Sequence, residues 1–258
     1  MVRLVVLVVV LGVGEVAVGE VVGRSVEYTV GGTTFEGYLA YEDGAKGKRP
    51  GVLVVHDWLG VDDWAKEQAR GLAEMGYVAF AADMYGKGVR PANQKEAAAE
   101  AGKVKGDRKL MRARVNGALE TLRKQEQVDP EKLAAIGFCF GGTTVLELAR
   151  SGADVDAVVS FHGGLDTPSP AEAKGVKAYV LVLHGADDPH VPAKQVEGFV
   201  EEMKAAEARW QLNMYGNAVH SFTRPDAGND PSKGAAYNEA VAKRAWGAMK
   251  LLFEEVLK

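Results

Sequence analysis

Cys139 is the only cysteine of this chain, and it stands in Gly137-Phe138-Cys139-Phe140-Gly141-Gly142. The preceding Lys132-Leu133-Ala134-Ala135-Ile136 reads as a short buried strand, and the following Thr143 to Arg150 as a helix. A thiol placed between them sits on a sharp turn with a strained backbone. Side chains two residues either side would strike the neighbouring strand and helix, which is the steric reason for glycine there. The turn also sets Cys139 at a helix N-terminus, where unpaired N–H groups and the helix dipole favour a thiolate and an oxyanion. The competing reading is a small buried hydrophobe in a chance Gly-x-Cys-x-Gly. It gives no reason for a strand before the motif and a helix after it.

Strand, Gly-x-nucleophile-x-Gly and helix in that order form the nucleophile elbow of the α/β-hydrolases. In that fold the acid and then the histidine follow the nucleophile along the chain. His56 precedes Cys139, and His162 and His184 come too early to leave an acid at a strand end before them. His190 is two residues from the acid candidate. His220 lies in Gly216-Asn217-Ala218-Val219-His220-Ser221-Phe222, between the last strand and the last helix, and is chosen. The acid lies in His184-Gly185-Ala186-Asp187-Asp188-Pro189-His190-Val191-Pro192. Asp188 is chosen from the pattern Gly-x-x-Asp-x-x-Val-Pro, with Asp187 as the alternative. His220 would take the thiol proton and later return a proton to the leaving group. Asp188 would fix its tautomer and stabilise the imidazolium. The backbone N–H groups of Phe140 and Trp58 would hold the oxyanion.

The elements that must position these groups are legible in the hydrophobic pattern. Ser25 to Tyr41 alternates around Gly31-Gly32 and predicts a hairpin. Continuous apolar runs at Gly51–Val55, Tyr77–Ala82, Ala157–Phe161 and Tyr179–Leu183, with Gln211–Tyr215 last, predict strands. Helices are expected at Ala65–Met75, Asn93–Lys103, Arg108–Gln125, Ala193–Ala208 and Ala235–Leu257. Alternating strands and helices imply a mostly parallel central sheet flanked by helices on both faces. Sites in such sheets form at strand C-termini. Here those ends carry His56-Asp57, Asp83, Cys139 and the His184–Asp188 loop.

A chain of 258 residues, 47% hydrophobic, suits one α/β-hydrolase domain, read as residues 20–258. A net charge of −4 without a basic cluster argues against nucleic acid as a partner. No Cys/His cluster has metal-ligand spacing, and neither metal nor cofactor is expected. Arg3, an apolar run from Leu4 to Val13, and Ala17-Val18-Gly19 have the layout of a secretory signal peptide over residues 1–19. The run is too short to span a membrane. A periplasmic or secreted protein is expected, or a cytoplasmic one if this segment is instead an N-terminal strand. A monomer is expected, with a homodimer as the alternative.

Taken together, these residues resemble the dienelactone hydrolase (carboxymethylenebutenolidase) family. The resemblance rests on the Cys139 elbow, Val54-Val55-His56-Asp57-Trp58-Leu59-Gly60-Val61, Ala82-Asp83-Met84-Tyr85-Gly86, the Asp188 loop and His220-Ser221-Phe222. It implies a cofactor-free hydrolase of lactones or small carboxylic esters acting through a thioester. It also implies that an acid at Asp57 pairs with the resting thiol. The family more often has Glu there, and Asp57 could instead cap the next helix. Arg224 and Lys87 match positions that bind a substrate carboxylate, and both also read as ordinary surface charges. Trp58 and Tyr85 are expected to line an apolar pocket. The alternatives are a ligand-binding or sensing module with poor turnover, and a thioesterase or peptidase of the same fold.

Overall fold

The computed structural model describes residues 19–258. The leader read over residues 1–19 therefore lies, save Gly19, outside the described residues. The strands are β1 (Val21–Val30), β2 (Thr33–Glu42), β3 (Arg49–Val55), β4 (Val78–Ala82), β5 (Val128–Phe138), β6 (Ala157–Phe161), β7 (Tyr179–Gly185) and β8 (Trp210–Tyr215). The helices are α1 (Asp63–Glu74), α2 (Gln94–Lys105), α3 (Arg108–Arg123), α4 (Phe140–Arg150), α5 (Ala193–Ala205) and α6 (Glu239–Val256).

All eight strands form one sheet in the order β1-β2-β4-β3-β5-β6-β7-β8. The β1–β2 and β2–β4 pairs are antiparallel, and every pairing from β4 to β8 is parallel. Gly31 and Gly32 both have positive φ, 56° and 81°, which a two-residue hairpin turn needs and which glycine adopts without a steric penalty. Alternation along β3 divides the core. Leu53 and Val55 face a cluster with Met111, Val115, Val145 and Phe199 of α3, α4 and α5. Val52 and Val54 face one with Leu72 of α1 and Val241, Met249 and Phe253 of α6. Each such side chain contributes about 1.5–3 kcal/mol on full burial. The sheet thus has helices on both faces, as the pattern predicts.

Helix ends follow their caps. Asp62, Asn93, Asp107 and Asn238 accept from backbone N–H groups of the first turns of α1, α2, α3 and α6. The Asn238 cap starts α6 four residues later than the sequence suggests. The residues just before it do other work: Ala236 N–H donates to the His220 carbonyl, and His220 N–H to that of Gly234.

The C-terminal half of α4 is held by charge. Arg150 makes a two-pronged pair with Glu202 of α5, at 2.7 and 2.8 Å, and bonds Glu147 at 3.0 Å. Glu147 bonds Arg112 of α3, whose other nitrogen meets Glu172. Arg150, Glu147 and Glu202 are all buried, so these pairs are insulated from water. No helix of the described residues is long and apolar enough to cross a membrane.

Candidate active site

β5 runs to Phe138 and α4 begins at Phe140, so a single residue makes the turn. Cys139 has φ 52° and ψ −112°, a conformation that costs a non-glycine residue about 1–3 kcal/mol. The surroundings fix it there. Its N–H donates to the Phe161 carbonyl at 3.0 Å. A β-carbon on Gly137 would lie 2.1 Å from the Gly141 carbonyl oxygen, and one on Gly141 2.2 Å from that of Val55. Only glycine lets elbow, strand and the turn after β3 approach this closely.

Three side chains meet in line at this point. Cys139 Sγ lies 2.9 Å from His220 Nε2, and His220 Nδ1 lies 2.7 Å from Asp188 Oδ2. Asp188 Oδ1 accepts the His190 N–H at 2.8 Å, which orients the carboxylate. Asp187, the alternative acid, is exposed and only its backbone takes part, donating to Ala218. Burial alone would lower the His220 pKa; its interactions with the facing Cys139 sulfur and the Asp188 carboxylate outweigh it and push it up to about 10. Burial would raise Asp188; the bond to and charge of His220 outweigh it and hold the carboxyl below its ordinary value. Two histidines that the sequence reading set aside wrap the ring. His162 and His190 have centroids 5.2 and 5.0 Å from that of His220. Burial holds His162 well below its ordinary value, and His220's charge lowers it further, so it adds no positive charge. Its Nε2 is 2.8 Å from Thr223 Oγ1, which ties it to the His220 loop.

The turn after β3 reaches over the elbow. Neither the Trp58 N–H in that turn nor the Phe140 N–H opening α4 has a hydrogen-bond partner among the described residues. His56 braces the turn from beneath. Its Nε2 accepts the Met84 N–H at 3.2 Å, so the ring proton is on Nδ1 and is donated to the Asp57 carbonyl. Burial lowers its pKa and keeps it neutral. Tyr85 donates its hydroxyl to the Trp58 carbonyl at 2.9 Å and packs on His56 and Phe140. With 4% exposure, Tyr85 supports the turn more than it offers a pocket wall.

Three expectations change. Asp57 does not meet the thiol: Oδ2 takes Arg224 Nη1 at 2.7 Å and Oδ1 accepts Leu59 N–H at 2.8 Å. Nor does it cap α1, since Asp62 does so. Burial raises the Asp57 pKa, and Arg224 opposes that rise. Arg224 is not a free anion binder. Besides Asp57 it bonds Asp62 at 2.7 Å and Asp226 at 2.6 and 3.0 Å, and it lies over the Trp64 ring at 4.9 Å. Lys87 is on the surface, paired with Glu27 of β1 at 2.5 Å. The sequence did hold a signal for the first two, the adjacent Asp62-Asp63 and Asp226 close to Arg224, but pairing across 162 and 167 residues leaves no local trace.

A half-buried thiol in line with a buried imidazole and carboxylate, beside two unpaired N–H groups, can attack an acyl carbon and hold the resulting oxyanion. Among the described residues no group of three or more His, Cys, Asp or Glu is arranged to hold a metal ion. The profile of the dienelactone hydrolase family matches residues 35–257. A solved structure titled m3DLH is 43% identical, with a TM-score of 0.89, over 93% of this chain and 100% of that one. A dienelactone hydrolase-like promiscuous phosphotriesterase, P91, from metagenomic libraries is 42% identical, with a TM-score of 0.88 and the same coverage. A Synechocystis protein provisionally named a carboxymethylenebutenolidase is 30% identical over 86% of this chain and 92% of its own length. The neighbours share the α/β-hydrolase fold.

Proposed function

The chain belongs to the dienelactone hydrolase family, and on that footing we propose that it hydrolyses lactones and small carboxylic esters through a thioester on Cys139. His220, cationic up to about pH 10, holds the proton taken from the thiol, and Sγ attacks the carbonyl carbon. The oxygen becomes an oxyanion held by the N–H groups of Phe140 and Trp58. Collapse breaks the C–O bond, and His220 gives its proton to the departing alkoxide. His220 then deprotonates a water that attacks the thioester; the C–S bond breaks, the acid leaves and the thiol is restored. Asp188 keeps Nδ1 protonated and stabilises the imidazolium in both steps.

The observation that carries this is the Cys139–His220–Asp188 line, 2.9 and 2.7 Å, at the elbow. The test is Cys139→Ala against aryl esters and lactones. Turnover falling to background is expected, and unchanged turnover refutes the proposal. Likeness to a protein titled a promiscuous phosphotriesterase favours a second reading, attack of the same thiolate on phosphorus in neutral triesters. Release of one equivalent of phenol from an aryl phosphotriester, absent in Cys139→Ala, is its test. The leader-like residues 1–19 support a further proposal, that the protein works in the periplasm or outside the cell. A mature N-terminus at Glu20 is expected by mass spectrometry, and an intact Met1 in the cytosol overturns it.

A further inference from the structure

His56 is fully buried where the chain leaves β3, and both of its ring nitrogens are spent on backbone groups. Met84 N–H donates to Nε2 at 3.2 Å, and Nδ1 donates to the Asp57 carbonyl. That carbonyl and the Trp58 N–H belong to one peptide unit. In a trans peptide the two groups point in opposite directions. A donor that holds the carbonyl from beneath the turn therefore aims the N–H away from the ring, which under the proposed function is the side of the oxyanion.

The neighbouring groups are tied as well. The Tyr85 hydroxyl donates to the Trp58 carbonyl at 2.9 Å, and Leu59 N–H to Asp57 Oδ1 at 2.8 Å. Trp58 N–H is left without a partner among the described residues. The His56 ring lies 4.8 Å from that of Tyr85 and stacks at 5.8 Å on that of Phe140, whose own N–H is the second proposed donor. Because Met84 N–H needs an acceptor, the imidazole is restricted to the neutral Nδ1–H tautomer, and burial disfavours its cation. The hydrogen bonds thus polarise one another in one direction, from Met84 N–H through the ring to the Asp57–Trp58 peptide.

We propose that His56 is a positioning residue for acyl transfer: its Nδ1–H locks the Asp57–Trp58 peptide so that the Trp58 N–H is preset for the oxyanion. This rests on the reading of Cys139 as the nucleophile and of Trp58 N–H as an oxyanion donor. Without the lock the peptide unit is free to rotate and one of two donors is lost, a fall in kcat on the order of 10²-fold. KM changes little, since the donor acts on charge that develops only after binding.

His56→Asn and His56→Leu test this. The two side chains share one branched outline, and both give up the bond to Met84. The Asn amide nitrogen takes the place of Nδ1 and can still donate to the Asp57 carbonyl, whereas Leu cannot. Two rates are read for each full-length variant, kcat for a 4-nitrophenyl ester and alkylation of Cys139 by iodoacetamide, with far-UV circular dichroism for folding. In alkylation a C–S bond forms as C–I breaks and iodide leaves; no oxyanion arises, so this rate reports the thiol and its base alone. In His56→Leu, kcat is expected on the order of 10²-fold below the parent, and in His56→Asn at least about tenfold above His56→Leu, with both alkylation rates within about threefold of the parent. A smaller gap between the variants overturns the proposal, and so does alkylation that falls in step with kcat. If His56→Leu does not fold, His56→Asn decides: kcat within about tenfold of the parent at unchanged alkylation supports the proposal, and a larger loss overturns it. Cys139→Ala, run alongside, separates the two failures. Turnover that survives it removes the proposed function, whereas equal His56 variants with turnover abolished in Cys139→Ala remove only this inference.

Discussion

Replacing Asp188 with Asn removes a charge and leaves the shape. The Asp188 side chain is fully buried and that of His220 nearly so, so the bond between them is little screened. Two unit charges about 4 Å apart attract by about 4 kcal/mol at an effective dielectric near 20. That attraction helps hold His220 in its cationic form up to about pH 10, and without it the pair reverts towards neutral imidazole and thiol. The result is a fall in kcat/KM of about 10³-fold. The amide also presents N–H or C=O to Nδ1 and so tolerates the wrong tautomer, which pushes the same way. The assay is kcat/KM for a 4-nitrophenyl ester from pH 5 to 11, with far-UV circular dichroism to confirm folding. In the parent protein the alkaline limb should lie near the His220 pKa of about 10. In Asp188→Asn it should move down by at least about one unit.

Stability gives a second reading of the same pair. His220 is raised above its ordinary 6.5, so its contribution is complete below pH 6.5 and is lost as pH rises through about 10. Asp188 is held below its ordinary 3.8, so its contribution is present above that pH and is lost as acid protonates it. The gap in melting temperature between parent and variant should be widest between these limits and close on both sides. A rate loss under tenfold with an unmoved alkaline limb would refute the reasoning.

Gly141→Ala sets a β-carbon 2.2 Å from the Val55 carbonyl and 2.5 Å from that of His56. A cost of about 1–3 kcal/mol and at least a tenfold drop in kcat/KM are expected as the Trp58 turn shifts, read by urea unfolding and ester hydrolysis. Glu202→Gln removes one of the two carboxylates that Arg150 meets in a buried network. It should cost about 3 kcal/mol and lower the melting temperature by about 6–12 °C, with KM unaltered. Lys87→Ala removes only a surface pair with Glu27, and kcat/KM for neutral and carboxylate-bearing esters alike should stay within twofold of the parent.

The sheet was legible because parallel strands buried on both faces are written as unbroken apolar runs, such as Gly51–Val55 and Tyr179–Leu183. The elbow was legible because its demands are local: two glycines, one strained residue, and a strand feeding a helix. His220 and Asp188 followed from chain order once the elbow was fixed. The partners of charged side chains were not legible. Nothing near Asp57 says that its carboxylate meets Arg224 instead of the thiol. Nothing near Lys87 says that its loop folds back on β1. Ala235 and Ala236 read as helix because alanine favours helix, yet their backbone braces the His220 loop.

The distances along the chain that this cluster spans bear on how the molecule is made. Asp57 and Arg224 are 167 residues apart, and Cys139 and His220 are 81 apart. While the ribosome still holds the segment beyond β8, the emerged polypeptide carries its sulfur without the base that would activate it. On the proposed function, the thiol gains its base only after synthesis of the last strand.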